Sequence, residues 1–260
     1  MAYDRTLVQI RERSYLEVLD LALVVIRHRP VTIGLAALAG TAPVVALNDW
    51  LMSDPDFPAG AFLLLLALEA PWATAPLTIV LGGLMFGARP PVGRVLKTMW
   101  RALPSMVLFQ GLVRAVLLGT IVLFPLVPSR LSFLNEVILL ERGRWWSAVR
   151  RSASLSGRRG GDLFGLWLAQ LVFGTIFVLC FWGGTGVALS ALTTSEMTWE
   201  APRRADTLGV RFQLGVWLAV VFFGVARFLS YIDQRIRMEG WELELHLRAV
   251  GDALEEAGRW

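Results

Sequence analysis

The stretch DLFGLWLAQLVFGTIFVLCFWGGTGVALS, residues 162–190, decides the class of this protein. Its only charged residue is Asp162, at the first position. A helix needs about 20 mostly apolar residues to cross the ~30 Å hydrocarbon core of a bilayer. Residues 162–190 are therefore predicted to form a membrane-spanning helix.

The composition of the whole chain agrees with this prediction. Of its 260 residues, 55% are hydrophobic and 18% are charged, and the mean hydropathy is +0.57. Soluble domains carry about 25% charged residues, so this composition excludes a disordered chain, a basic nucleic-acid-binding domain and most soluble enzymes. The single cysteine excludes a disulfide scaffold and a cysteine-based metal cluster. We therefore expect an all-α integral membrane protein.

Six membrane spans are expected between residues 31 and 231. Their approximate ranges are 31–48, 60–88, 106–124, 125–141, 162–190 and 209–231. Pro71 and Pro76 predict a kinked or broken second span, because proline removes a backbone hydrogen bond and crowds the preceding turn. The fourth span is short and is predicted to return as a tight helical hairpin with the third.

Three segments outside the spans are predicted to form amphipathic cytoplasmic helices: residues 1–30 at the N-terminus, the insert 142–160, and residues 232–260 at the C-terminus. Each combines apolar positions at helical spacing with charged positions. In the closing segment, Asp233 and Arg237 are spaced to form an i,i+4 ion pair, as are Arg235 and Glu239. The chain is thus expected to form a single membrane domain with helices lying along one of its surfaces.

The distribution of basic residues predicts the orientation. The segments expected on the inner side carry 19 of the 25 lysines and arginines, and only Arg130, Arg203, Arg204 and Arg211 are expected on the outer side. Loops rich in arginine and lysine stay in the cytoplasm. We therefore expect a multi-pass protein of a bacterial inner membrane, with both termini in the cytoplasm.

Among the ionisable residues expected at membrane depth, three stand out: Glu69, Arg114 and Glu136. Charges at membrane depth are costly and indicate function or pairing. Because Arg114 is the basic residue expected at that depth, it is predicted to pair with Glu69 or Glu136. Two interpretations remain open: a polar path for a proton or small solute, and a structural ion pair that fixes the packing of the hairpin.

A second set of candidate residues is basic and lies at the inner surface: Arg142, Arg144, Arg150, Arg151, Arg235 and Arg237. A basic helix beside a bilayer attracts anionic headgroups by about 1 kcal/mol per residue near the surface. These arginines are therefore candidates for contact with anionic lipid or with a membrane-protein partner. The alternative is that they only hold the helices against the bilayer and fix the exit of the last span.

Three stretches resemble a family of bacterial six-helix membrane proteins. Residues 231–244, YIDQRIRMEGWELE, resemble its closing motif, residues 13–20 (RSYLEVLD) its opening helix, and Glu141 followed by residues 148–155 (AVRRSASL) its middle cytoplasmic turn. The family is similar to the membrane domain attached to some glycerophosphoryl diester phosphodiesterases. The resemblance implies the six-helix architecture; the sequence has no counterpart of the phosphodiesterase catalytic domain.

No catalytic motif is evident in the sequence. The two histidines, His28 and His246, do not have the spacing of a metal site, and no serine lies in a G-x-S-x-G motif. We therefore expect no enzymatic activity and no cofactor. The expected function is that of a structural or accessory subunit that contacts lipid or a membrane partner. The alternative is a small-solute or lipid transporter with an intramembrane charged site.

Overall fold

A computed structural model describes residues 15–54, 56–85, 90–120, 126–141, 143, 145–157, 160–193 and 209–257, with side chains described as far as Met238. All regular secondary structure in these ranges is helical. The helices are α1 (Tyr15–His28), α2 (Pro30–Met52), α3 (Ala59–Met85), α4 (Val92–Met106), a π-helical segment (Val107–Val113), α5 (Arg114–Gly119), α6 (Leu126–Arg130), α7 (Leu134–Leu140), α8 (Trp146–Ser156), α9 (Gly160–Thr193) and α10 (Val210–Ala257).

Five helical stretches of the described chain are long and apolar enough to cross a membrane: 30–52, 60–85, 92–119, 160–192 and 210–238. The expectation of an all-helical chain with several apolar helices is therefore confirmed, and these five stretches are compatible with a multi-pass membrane protein. The last helix differs from expectation in one respect. The sixth predicted span and the C-terminal helix form one continuous helix, α10, with no break near residue 231.

The predicted fourth span has a different structure. Residues 126–140 form two short helices, α6 of five residues and α7 of seven. At 1.5 Å per residue, α7 is only about 10 Å long, well short of a bilayer core. It is instead enclosed by protein, with Leu134 to Leu139 all buried. Non-helical turns at membrane depth are tolerated where protein surrounds them, which is how this return segment packs inside the bundle.

Helices α2 and α3 form an antiparallel pair, and α3 also contacts α4, α5, α7 and α10. Gly40 lies where they cross, because a Cβ atom there would collide with the carbonyl oxygen of Ala73. Small residues at such crossings let two helix backbones approach closely in a membrane. Helix α3 continues through Pro71 and Pro76 without a break, and the Asn135 side chain donates a hydrogen bond to the Pro71 carbonyl at 3.4 Å.

The two ends of the bundle differ in charge. One end, here called the basic end, contains the α1–α2 junction, the end of α3 and the start of α4. The opposite end contains the α2–α3 loop and the start of α10, and Asp49, Asp54 and Asp56 lie there. The basic end exposes Arg27, Arg29, Arg94, Lys97 and Arg101. This separation of charge supports the orientation that the sequence predicts.

Arg130 departs from that pattern. The sequence predicts it on the outer side, but its carbonyl accepts a hydrogen bond from Ser152 Oγ of α8 at 3.2 Å. Arg130 therefore lies beside α8.

Candidate functional site

Glu136 forms an ion pair, but with a partner that the sequence interpretation did not choose. The Arg227 Nε donates a hydrogen bond to Glu136 Oε1 at 2.8 Å, joining α10 to α7. Glu136 is fully buried, and the side chain of Arg227 is 24% exposed. Arg227 also donates to Thr74 Oγ1 of α3 at 3.4 Å. The pair therefore connects three helices.

Arg114 does not form the predicted pair with Glu69 or Glu136. Its Nη1 donates a hydrogen bond to Gln110 Oε1 at 3.4 Å, one turn earlier along the same helix. Its Nε is buried and has no hydrogen-bond partner in the described part of the chain. The prediction was wrong because the return segment turns the Glu136 side chain towards α10, where Arg227 is closer.

Glu69 lies in a separate polar site between α2 and α3. It accepts a hydrogen bond from Asn48 Nδ2 at 2.9 Å. Both side chains are buried, and neither Glu69 Oε1 nor Asn48 Oδ1 has a partner among the described residues. Glu69, Arg114 and Glu136 therefore belong to three different local arrangements and not to one charged cluster.

A cavity of about 240 Å³ lies next to two of these arrangements. Arg114 and Arg227 both line it, so the two side chains border the same space. Helices α3, α5, α6, α9 and α10 supply its walls. Arg227 is the residue of this site that the sequence interpretation missed. Its position near the inner end of the last span was a signal that could have identified it.

A second polar cluster surrounds Glu141, between α7 and α8. Arg151 Nε donates to Glu141 Oε2 at 2.9 Å, and Tyr231 Oη donates to Glu141 Oε1 at 2.7 Å. Arg235 Nε is 4.0 Å from the same carboxylate. This cluster brings together the middle and closing stretches on which the family resemblance rests. It holds α8 against the end of the last span.

The charge state of Glu141 follows from these contacts. Burial raises the pKa of its carboxyl group. The hydrogen bonds from Arg151 and Tyr231, together with the charges of Arg151 and Arg235, lower this pKa by a larger amount. The net pKa lies below its ordinary value of 4.5. The carboxylate is thus ionised at neutral pH, where it joins the two arginines.

The predicted surface arginines have different surroundings. Arg151 and Arg235 face Glu141, and Arg237 Nε donates to Asp233 Oδ2 at 2.9 Å, which confirms that predicted i,i+4 pair. Arg150 is exposed. Arg142 and Arg144 lie outside the described residues, as do residues 1–14 of the predicted N-terminal helix and the Glu239 side chain.

Helix α4 presents a basic surface that the sequence interpretation did not select. Arg94, Lys97 and Arg101 are all exposed and follow one another at i, i+3 and i+7, so they share one face. A separate face exposes a line of large apolar side chains at helical spacing: Val92, Leu96, Trp100, Leu103 and Val107. A third face, with Ala102 and Met106, is buried in the bundle. The helical spacing of basic and apolar residues was visible in residues 92–107. The sequence interpretation missed it because it assigned the first part of this stretch to a loop and the last part to a span.

No protein family, curated protein or solved structure was found to match this chain. The similarity to the membrane domain of glycerophosphoryl diester phosphodiesterases stays a prediction from the motifs.

Proposed function

We propose that this chain is a non-enzymatic accessory protein of a bacterial inner membrane, and that α4 binds anionic lipid at the cytoplasmic surface. The observation that carries the proposal is the arrangement of α4: one exposed face is basic and a separate exposed face is apolar. At the cytoplasmic end of a span, a helix of this kind places its apolar side chains among the acyl chains while its long cationic side chains extend to the headgroups. Trp100, 75% exposed, lies on the apolar face, where tryptophan favours the membrane interface.

Other exposed basic and aromatic residues support the same orientation. Arg27 and Arg29 are exposed beside the start of α2, and Arg150 is exposed on α8. Trp145 and Trp146, at the start of α8, are more than half exposed. We propose that these groups face the cytoplasmic leaflet. The return segment 126–140 then brings the chain back towards the side on which residues 92–119 begin, so that both termini are cytoplasmic.

The binding experiment uses the full chain in nanodiscs that contain a trace of pyrene-labelled phosphatidylglycerol or phosphatidylcholine. Energy transfer from the tryptophans to pyrene reports which lipid surrounds the protein. The variant R94Q/K97Q/R101Q removes three charges from α4. At about 1 kcal/mol per basic residue near the surface, up to about 3 kcal/mol of preference for phosphatidylglycerol is at stake.

The matched control is R203Q/R204Q/R211Q. It removes the same number of charges from the segment that the sequence places on the outer side. We expect the α4 variant to lose most of the preference and the control to retain it. Equal preference in the α4 variant and the unmodified protein would contradict the proposal.

Transport of a small solute or lipid is the second candidate, and the cavity beside Arg114 favours it. The described residues show no continuous line of charged groups from this cavity to Glu69, which lies in the separate site with Asn48. Flux measurements in proteoliposomes test this candidate. Loss of flux in a folded Arg114→Leu variant would support transport, whereas a lower melting temperature with no flux in the unmodified protein would favour a structural role.

A further inference from the structure

The cavity beside Arg114 contains more positive than negative charge. Of its two arginines, Arg227 is neutralised by Glu136, at 2.8 Å. Among the described residues, no carboxylate lies within ion-pair distance of Arg114, whose side-chain hydrogen bond goes to the neutral amide of Gln110. A guanidinium group inside a membrane protein is stabilised by an anionic partner. Arg114 is therefore a cation of this cavity for which the described residues supply no carboxylate partner.

The backbone around Arg114 positions this group at the cavity. The helix that begins as α4 widens into a π-helical segment at Val107–Val113 and resumes as α5 at Arg114 itself. Short π-helical segments are frequent at functional sites. Gln110 lies inside the π-helical segment, and Arg114 follows four residues later and donates a side-chain hydrogen bond to it at 3.4 Å. The buried Nε of Arg114 has no hydrogen-bond partner among the described residues.

The opposite wall brings Arg227 to the same space. Gly224 allows α10 to approach α3 closely, since a Cβ atom there would lie 3.1 Å from Thr74 Cγ2. Arg227 follows one turn later and lines the cavity. Guanidinium groups bind phosphate through paired N–H donors in a planar fork. Two such groups facing one cavity form a geometry suited to a phosphate oxyanion.

The remaining walls of the cavity are largely apolar. Leu163, Leu166 and Leu171 of α9 and Phe223 of α10 line it, and these surfaces suit an alkyl chain better than water. The neighbouring outer face of α9 is exposed at Leu168 and Val172. An amphiphile could therefore place its phosphate between the arginines with its chain along α9.

We propose that this cavity binds a phosphate group, with Arg114 as the principal contact and Arg227 as the second. Two kinds of molecule could supply this phosphate group: an anionic lipid, through its headgroup, and free inorganic phosphate. The inference is independent of lipid binding by α4, because the two sites use different residues.

The test measures thermal stability of the detergent-solubilised full chain during three titrations: dioctanoyl-phosphatidylglycerol, dioctanoyl-phosphatidylcholine and inorganic phosphate. We expect the first to raise the melting temperature at concentrations where the second, which has the same chains, does not. An equal, Arg114-dependent rise with inorganic phosphate would support the site and identify a small anion as sufficient. No rise with either anion would overturn the proposal.

Two variants locate the effect. Arg114→Gln is expected to weaken the apparent affinity at least tenfold, whereas Arg211→Gln, at the start of α10 and outside both proposed sites, is expected to leave it unchanged. Ala70→Leu fills the cavity without removing a charge and is expected to abolish the response, so the test does not depend on the stability of Arg114→Gln alone. A response in Ala70→Leu equal to that of the unmodified protein would place the bound anion elsewhere and overturn the proposal.

Discussion

Removing the charge of Glu136 is expected to destabilise the bundle strongly. The substitution Glu136→Gln keeps the size of the side chain but removes the negative charge that lies 2.8 Å from Arg227 Nε. Glu136 is fully buried and Arg227 is 24% exposed, so solvent compensates the remaining cation only in part. Breaking a buried ion pair costs about 3–5 kcal/mol. The partial exposure of Arg227 places our expectation near the lower limit, about 3 kcal/mol.

Glu69→Gln is the matched control for this substitution. Glu69 is also buried, but its hydrogen-bond donor is the neutral amide of Asn48, at 2.9 Å. Glutamine retains an oxygen that accepts this bond. The free energy of unfolding should then fall by no more than the contribution of one neutral hydrogen bond, about 1 kcal/mol. The same chemical change in the same bundle should therefore have a much larger effect at residue 136.

Reversible unfolding in mixed micelles of dodecyl maltoside and sodium dodecyl sulfate measures both free energies. A double-mutant cycle with Arg227→Met then isolates the pair interaction, which we expect to be about 2 kcal/mol or more. A cost below about 1 kcal/mol for Glu136→Gln, or strict additivity in the cycle, would refute the assignment of this pair as a link between α7 and α10.

Three further outcomes are expected. Since the pKa of Glu141 is lowered in the folded protein, its contribution to stability should be present above about pH 4.5 and lost as the pH falls through the folded pKa. Unfolding curves measured over a series of pH values check this. In Glu141→Gln, the free energy of unfolding should fall less steeply at acid pH. Gly40→Ala should cost about 1–3 kcal/mol by collision with Ala73, whereas Gly34→Ala, which has open space around it, should be neutral or slightly stabilising in the same unfolding assay. In a Cys180→Ser background, cysteines at Ser53 and at the C-terminus should label from opposite sides of sealed inverted vesicles; labelling of both from one side would contradict the proposed topology.

Much of the helical framework could be predicted from hydropathy and charge. The apolar stretch 162–190 lies within one helix, Gly160–Thr193, and residues 31–48 lie within Pro30–Met52. These segments depend on local composition, since a lipid-exposed helix satisfies its own backbone hydrogen bonds. The i,i+4 pair between Asp233 and Arg237 was predictable for the same reason: both partners lie on one helix.

The return segment and the charge pairing depend on tertiary contacts. Residues 131–140 have enough apolar character to suggest a span, yet they form a short buried helix that contacts α3, α4 and α8. The partner of Glu136 is 91 residues away in the chain, and no local pattern indicates which of two arginines lies closer. Arg227 was therefore missed as a site residue, and Arg114 was assigned a carboxylate that it does not contact.

The measurement that tests the account most directly is the lipid preference of the full chain in nanodiscs that hold equal amounts of phosphatidylglycerol and phosphatidylcholine. The account predicts enrichment of phosphatidylglycerol around the unmodified protein and around R203Q/R204Q/R211Q, and loss of most of that enrichment in R94Q/K97Q/R101Q. Equal enrichment in all three proteins would contradict the assignment of α4 as the surface that binds anionic lipid.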